Sequence, residues 1–278
     1  MQIEEQKIVL EGRHLHRLVL HPDSAPRGTL VFFHGQGDYI DRYPPLLSIF
    51  VEQDFRCILT DLPGHGRSQG RRGSVPGMAF LDALLNSSLL DQPTPYLIAG
   101  HSMGGLVALR FFLNEPRRFA AAWFSSPLLD PMGQAKPWMR RTLPVLANLF
   151  PWIIVGTGVR TEDCTDDREG RPGEEDTPLY HSKISIGWGR DLRDAAERIK
   201  QQLQGFPAGI PVLFTQGEID KVCPPSILRA RLVKLPENQI TYSEIENARH
   251  EPFNGSTSAL LQEALKKWVE KLTQRLPR

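Results

Sequence analysis

Cysteine, excess charge and long apolar runs are all scarce or missing in this chain of 278 residues. The three cysteines, Cys57, Cys164 and Cys223, are scattered and odd in number, which excludes a metal-ligand spacing and a disulfide framework. The 33 basic and 32 acidic residues nearly balance, so charge indicates neither a nucleic-acid partner nor an anionic membrane. No apolar run reaches the roughly 20 residues that a transmembrane helix needs.

These absences predict a cytoplasmic protein. Scattered cysteines without a disulfide framework are typical of a reducing compartment. Residues 1–7 are polar and acidic, without the basic and apolar regions of a signal peptide. The length allows one substantial core with a subdomain inserted into it.

What the sequence has is an alternation of apolar, strand-like runs with segments of helical period. The strand-like runs are residues 29–33, 55–60, 96–99, 119–124, 211–215 and 240–245. Helical segments such as 43–51 and 105–113 lie between them. Residues 6–10 and 16–20 alternate in polarity around Gly12 and predict an antiparallel hairpin at one edge. The pattern predicts an α/β fold, with a mostly parallel central sheet and helices on both faces.

Residues 128–189 interrupt this alternation. They are rich in proline, glycine and aromatic residues, they include the charged run 160–176, and no strand–helix alternation can be read in them. We expect residues 128–189 to be a cap inserted into the core. The core would then consist of residues 1–127 and residues 190–278.

The cap contains a markedly apolar stretch. It includes Trp138, Phe150 and Trp152, which we predict to contact the substrate in an acyl-chain tunnel. The alternative is that these side chains only pack the cap onto the core. An apolar tunnel mouth would also allow transient contact between the cap and a membrane surface, so the protein would be peripheral at membranes.

Residues 100–104 read Gly-His-Ser-Met-Gly and follow a strand-like run directly before a helical segment. A G-x-S-x-G turn in that position raises the serine hydroxyl above the sheet, and its glycines leave room for the sharp turn. The bare motif arises by chance about once in ten chains of this length, so the strand and helix around it carry the argument. Ser102 is therefore the predicted nucleophile.

A serine nucleophile needs a base, and the base needs an orienting carboxylate. On a parallel sheet these groups follow later strands, in the order serine, acid, histidine. Asp220 follows the run 211–215, and His250 follows the run 240–245. Glu218 competes with Asp220 for the carboxylate role, and we favour Asp220 because its shorter side chain lies deeper in the loop.

Two backbone amides should stabilise the oxyanion. One belongs to Met103, the residue after the nucleophile, and the other lies in a loop after an early strand. That loop begins with His34 and contains Gln36, to which we assign the second amide. Residues 61–68 form a further loop, whose charged and histidine side chains we interpret as a structural hydrogen-bond network.

Taken together, these motifs resemble the α/β-hydrolase superfamily. The strings Gly-His-Ser-Met-Gly-Gly from Gly100 and Asp-Leu-Pro-Gly-His-Gly-Arg-Ser from Asp61 are similar to the monoacylglycerol lipase and lysophospholipase-like branch of the serine aminopeptidase-type hydrolases. The resemblance spans residues 28–255, with the cap matching loosely. It implies a serine hydrolase with the catalytic residues Ser102, Asp220 and His250 and without a cofactor or metal. Residues 77–90 depart from it, because they lack the longer acidic helix of the family.

The expected reaction is cleavage of a carboxylic ester through an acyl-enzyme. The expected substrate is a single-chain lipid ester, either a monoacylglycerol or a lysophospholipid. One alternative is a small-ester or thioester hydrolase, and another is an aminopeptidase-like hydrolase whose cap acids hold a free amine. A third is an inactive hydrolase-fold binding protein. The acids of the peptidase alternative are Glu162, Asp163, Asp166 and Asp167. The oligomeric state and the acyl-chain preference are not predicted.

Overall fold

The computed structural model describes residues 1–133, 135, 137–167, 177–233, 235 and 240–276. The strands are β1 (Gln2–Leu10), β2 (Arg13–His21), β3 (Gly28–Phe33), β4 (Phe55–Thr60), β5 (Tyr96–His101), β6 (Ala121–Ser125), β7 (Ile154–Gly156), β8 (Lys183–Ser185), β9 (Val212–Gly217) and β10 (Ile240–Ile245). The α-helices are α1 (Pro44–Val51), α2 (Met78–Leu89), α3 (Met103–Asn114), α4 (Pro137–Leu149), α5 (Thr161–Cys164), α6 (Ile186–Gln202), α7 (Pro225–Leu232) and α8 (Ser258–Arg275).

The main sheet has the strand order β1-β2-β4-β3-β5-β6-β9-β10. Within this sheet, the neighbouring strands of the series β4-β3-β5-β6-β9-β10 are all parallel. The pairs β1–β2 and β2–β4 are antiparallel. The β1–β2 connection is the two-residue turn Glu11-Gly12, in which both residues have positive φ, as tight hairpins require. The predicted α/β fold with an edge hairpin is therefore confirmed.

Neighbouring residues of the central strands point to opposite faces of the sheet and build two cores. Phe32 and Trp123 pack with α1 and α8 on one face. Phe33 and Phe124 pack with α3 and α6 on the other face. Full burial of a side chain of this size stabilises the fold by about 1.5–3 kcal/mol, so the two layers hold the strand ends in fixed positions. Residues 77–90, the departure from the family pattern, form the short helix α2.

The cap, in which the sequence shows no strand–helix alternation, has regular elements in the structure. Helices α4 and α5 lie in it, and β7 pairs with β8 in a separate two-stranded sheet. Helix α6 begins at Ile186, because the Ser185 hydroxyl accepts a hydrogen bond from the Trp188 amide at 3.2 Å, and it continues past the expected boundary at residue 189. Residues 168–176 of the charged run are outside the described ranges. Across the described chain, no helix has both the length and the apolarity needed to cross a bilayer.

Candidate active site

Ser102 lies at the turn between β5 and α3, in the conformation φ 56°, ψ −118°. A positive φ is strained for a residue with a side chain and is kept only where the surroundings enforce it. Two glycines leave room for the backbone to pass closely around this turn. A Cβ on Gly100 would lie 2.3 Å from the Gly104 carbonyl oxygen, and a Cβ on Gly104 would lie 2.1 Å from the Phe33 carbonyl oxygen. The strand, sharp turn and helix predicted around the serine are all present.

The loops after three strands bring the predicted serine, histidine and aspartate into one hydrogen-bonded series. His250 Nε2 lies 2.8 Å from Ser102 Oγ, and His250 Nδ1 lies 2.8 Å from Asp220 Oδ2. All three side chains are buried. Since an ionised carboxylate only accepts hydrogen bonds, Nδ1 carries the proton and Nε2 accepts from the serine hydroxyl. This is the arrangement in which an imidazole can remove a proton from a serine.

The Asp220 carboxylate is held from several directions. Its Oδ1 accepts the backbone N–H groups of Val222 and Cys223, both at 2.8 Å, and its Oδ2 accepts Gln216 Nε2 at 2.7 Å. Glu218, the competing acid, instead accepts a hydrogen bond from the backbone N–H of Asn247 at 2.9 Å. The structure thus brings Asp220, and not Glu218, to His250. Gln216 carries no motif in the sequence, and its role became visible only with the fold.

Cys223 lies beside Asp220 and is buried. Burial, followed by the Asp220 charge, raises the pKa of the Cys223 thiol well above its ordinary value. The thiol therefore remains protonated and does not compete with Ser102 as a nucleophile.

The two residues predicted to stabilise an oxyanion come from two different elements of the core. Met103 is the first residue of α3, and Gln36 lies in the loop after β3. The first amides of a helix have no intrahelical acceptor, and the helix dipole favours negative charge at that end. Gln36, Ser102 and His250 line one cavity of about 720 Å³.

The rest of the cavity wall comes from both the core and the cap. Apolar lining side chains include Leu128, Met132, Val155, Ile184 and Leu192. A concave and largely apolar space with a few polar groups is typical of a small-molecule site, and this volume is within the usual range.

Trp138, Phe150 and Trp152 are not part of this wall. Their side chains are 62%, 43% and 59% exposed, and the cap residues that line the cavity belong to other segments. The structure therefore does not bring these three predicted substrate contacts to the cavity wall. The apolar sequence pattern identified a contact surface of the cap. It did not distinguish the side that faces the cavity from the side that faces solvent.

A buried ion-pair network, which the sequence analysis missed, joins the two sides of the site. The Arg42 guanidinium contacts Asp38 Oδ1 at 2.7 Å and Glu251 Oε2 at 2.5 Å, and Tyr43 donates its hydroxyl to Asp38 Oδ2 at 2.6 Å. Asp38 belongs to the loop of Gln36, and Glu251 follows His250. Removing one partner of such a buried pair is strongly destabilising, so the network fixes these two loops relative to each other.

The loop of residues 61–68 behaves as the predicted structural network. Asp61 accepts the backbone amides of Ile40 and Arg67, both at 2.9 Å, and His16 Nδ1 lies 3.0 Å from Asp61. The hydrogen bond from His16 to Asp61 raises the pKa of the His16 imidazole. Asp61 thus holds its own loop together and ties it to the segments of His16 and Ile40.

The cap acids have other partners than a substrate amine. Asp163, the one of the four acids among the cavity-lining residues, accepts Arg160 Nε at 2.9 Å, and this bond lowers the pKa of Asp163. Asp166 accepts the Ser256 hydroxyl at 2.6 Å. Asp163 and Asp166 are thus engaged by other groups of this chain, which weighs against the peptidase alternative.

Comparison with known proteins agrees with this geometry. A family described as serine aminopeptidase, S33 matches residues 24–257. A monoacylglycerol lipase of Mycolicibacterium smegmatis is 25% identical over 259 residues, which are 89% of this chain and 90% of that protein. A pimeloyl-[acyl-carrier protein] methyl ester esterase of Legionella pneumophila is 36% identical over 255 residues, 87% of this chain and 96% of that one. The crystal structure of a Paleococcus ferrophilus monoacylglycerol lipase superposes with a TM-score of 0.82 at 26% identity, covering 94% of this chain and 98% of that one.

Proposed function

Since the chain belongs to the serine aminopeptidase S33 family of α/β-hydrolases and is an ester hydrolase of the monoacylglycerol lipase-like branch, we propose that it cleaves carboxylic esters through an acyl-enzyme on Ser102. The hydrogen-bonded series of Ser102, His250 and Asp220 carries this proposal, with 2.8 Å at both contacts. A binding protein has no need of these three groups in such an arrangement.

In the proposed reaction, Ser102 Oγ attacks the ester carbonyl carbon while His250 Nε2 takes the hydroxyl proton. Asp220 stabilises the resulting imidazolium, and the amides of Gln36 and Met103 bind the oxyanion. His250 then donates its proton to the leaving alcohol as the ester C–O bond breaks. A water molecule, deprotonated by His250, attacks the acyl-enzyme and releases the acid together with free Ser102.

The proposed substrate is a single-chain lipid ester, either a monoacylglycerol or a lysophospholipid. The apolar part of the cavity wall suits one acyl chain. The names of the Mycolicibacterium and Paleococcus relatives support the same class of ester.

The Legionella relative supports a second candidate, a methyl ester or another small ester. If the acyl group of such an ester ended in an anion, the cavity would have to supply positive charge. Arg190 and Arg193 line the cavity and supply positive charge. Asp191 already pairs with Arg190 at 2.8 Å, and Asp194 with Arg193 at 2.6 Å. We rank this candidate second because neither guanidinium needs a substrate anion for charge balance.

We further propose that the protein is cytoplasmic and peripheral at membranes, and that the outer face of the cap touches the membrane surface. Large apolar side chains cluster on this face, and exposed clusters of this kind mark contact sites. Tryptophans are favoured at the boundary between water and lipid. The exposed members on α4 and just after it are Trp138, Val145, Leu146, Leu149, Phe150, Trp152 and Ile153.

The deciding experiment is hydrolysis of p-nitrophenyl esters from acetate to palmitate, followed by 1-monoacylglycerol, lysophosphatidylcholine and a monomethyl dicarboxylate. We expect activity with medium or long chains that disappears in Ser102→Ala and persists in Ser48→Ala, a matched serine removal on α1. A fluorophosphonate probe should label the wild type and spare Ser102→Ala. Unlabelled, folded wild type would overturn the enzyme proposal, and preference for the monomethyl dicarboxylate would favour the second candidate.

A further inference from the structure

One buried indole touches the side chains of both residues assigned to the oxyanion hole. Trp188, in the first turn of α6, is 1% exposed. Its Nε1 lies 3.1 Å from Gln36 Oε1 and 3.3 Å from Met103 Sδ. An indole has a single N–H donor, so the two acceptors share one hydrogen, with the amide oxygen as the stronger acceptor and the thioether as the weaker one.

The Gln36 side chain is fixed at its other end as well. Its Nε2 donates to the Lys183 carbonyl oxygen at 2.8 Å. Since the amide nitrogen faces a carbonyl and the amide oxygen faces the indole N–H, only one orientation of the Gln36 amide satisfies both contacts.

The backbone beside Gln36 is pressed against the same segment of the cap. The His181 amide donates to the Gly37 carbonyl at 3.0 Å. A Cβ on Gly37 would lie 1.8 Å from the His181 carbonyl oxygen, so no larger residue fits there. The loop of Gln36 therefore rests on residues 181–188, and Trp188 is the part of that segment which also reaches Met103.

The two proposed oxyanion amides come from different elements, the loop after β3 and the start of α3. Neither element by itself sets the distance between the amides. We propose that Trp188 is a positioning residue that sets this distance by holding the Gln36 and Met103 side chains on one N–H group. The inference rests on the proposed function, because it assumes that these amides bind the oxyanion. Loss of one such donor typically costs about 100–1,000-fold in rate, and a displaced donor loses part of that.

The test is Trp188→Phe, which keeps an aromatic ring in the core and removes the N–H donor. The substrates are p-nitrophenyl butyrate and its thiono analogue, in which sulfur replaces the carbonyl oxygen. Sulfur accepts hydrogen bonds weakly, so the wild type should strongly prefer the oxygen ester. We expect Trp188→Phe to lower kcat for the oxygen ester about 10-fold with KM changed less than about 2-fold, and to reduce the preference for oxygen over sulfur about 10-fold.

Trp123→Phe is the matched control. Trp123 is also 1% exposed, and its Nε1 donates to Thr215 Oγ1 at 3.0 Å, within the sheet. The control loses the same kind of donor at the same burial, so it should lose stability while the oxygen-over-sulfur preference stays at the wild-type value. Equal changes in both variants, or an unchanged preference in Trp188→Phe, would overturn the inference.

Gln36→Ala removes the acceptor of the Trp188–Gln36 hydrogen bond and leaves the backbone amide of residue 36 in place. It should reduce the preference in the same direction as Trp188→Phe, and the double variant should lose less than the sum of the two, because both changes break the hydrogen bond between Trp188 and Gln36. If Trp188→Phe does not fold, Gln36→Ala decides alone. A preference for the oxygen ester over the thiono ester equal to that of the wild type then refutes the inference. A wild type that hydrolyses no p-nitrophenyl ester from acetate to palmitate would refute the proposed function and this inference with it, whereas an active wild type with insensitive variants refutes this inference alone.

Discussion

The loops around Ser102 and the outer face of the cap differ in what holds their side chains. Around Ser102, the Asp220 carboxylate accepts three N–H groups, and buried ion pairs connect the neighbouring loops. On the outer face of the cap, Trp138 and Trp152 are more than half exposed. The first region is suited to holding reacting groups at fixed distances. The second is suited to meeting a surface without a defined geometry. A hydrolase of lipid esters needs both properties, and here they belong to different segments of the chain.

The strongest test of this contrast removes one hydrogen-bond partner from the fixed region. Asp220→Asn should lower kcat for p-nitrophenyl butyrate about 10³–10⁴-fold, because an amide favours the wrong imidazole tautomer. Glu218→Gln, in the same loop, should stay close to the wild-type rate, since Glu218 bonds to Asn247 and not to His250. Similar losses in both variants would mean that the loop tolerates no change, rather than that Asp220 orients the base.

A second test asks whether the turn at Ser102 depends on backbone contact. Gly104→Ala places a Cβ 2.1 Å from the Phe33 carbonyl oxygen, and we expect a loss of about 3 kcal/mol in the free energy of unfolding. Gly205→Ala is the control, because its Cβ would meet no atom within 4 Å, and its effect should stay within about 0.5 kcal/mol. Urea denaturation measures both. Equal stability of the two variants would show that the turn is more adaptable than its contacts indicate.

A third test concerns the exposed region. The double variant Trp138→Ser, Trp152→Ser should bind phosphatidylcholine vesicles about 10–100-fold more weakly, because it loses two interfacial aromatic rings. Hydrolysis of dissolved p-nitrophenyl butyrate should be unchanged, since neither side chain lines the cavity. Leu260→Ser, an exposed apolar residue on α8, should leave vesicle binding as it is. A loss of activity on the dissolved ester would indicate that these tryptophans contact the substrate after all.

The smallest expected effect arises at a buried contact between the core and the cap. The His65 ring contacts His34 and the cap residue His181, with ring centroids 5.2 and 4.7 Å away. Burial, followed by the neighbouring His34 and His181, lowers the pKa of His65 well below its ordinary value. Below about pH 6.5 the unfolded chain therefore binds a proton that the folded chain does not, and stability falls by up to about 1.4 kcal/mol per pH unit.

His16 acts in the opposite direction and in another pH window. Because the hydrogen bond to Asp61 raises its folded pKa, its contribution is complete below about pH 6.5 and is lost as the pH rises through that folded pKa. Between pH 6.5 and 5, the loss caused by His65 is therefore not offset by a change at His16. Denaturation of His65→Gln in this range should give a flatter dependence than the wild type, and His14→Gln, at an exposed position, should not. An equally steep slope in His65→Gln would assign the acid sensitivity to another group.

The same contrast explains how far the sequence alone could lead. The parallel sheet and the turn at Ser102 were predictable, because buried strands and close glycines leave local patterns. The pairing of β7 with β8 was not, since each strand has three residues and a long segment separates them. The roles of Arg42, Gln216 and Trp188 depend on partners distant in sequence, and a single polar or aromatic residue does not indicate its partner.

The contact between Trp188 and Gln36 also sets a rule for recombining this protein with its relatives. A cap exchanged as a cassette would change the cavity wall and also the backbone carbonyls of Glu162, Cys164 and Thr165, which accept hydrogen bonds from Arg249 and Glu251 on either side of His250. The junction at the end of the cap adds a second dependence. A chimera joined before Ser185 keeps the capping hydroxyl and the first turn of α6 with the host, together with the hydrogen bond to Gln36. A junction after Trp188 replaces the residue that contacts Gln36 and Met103, so the graft would change the support of the proposed oxyanion amides as well as substrate choice.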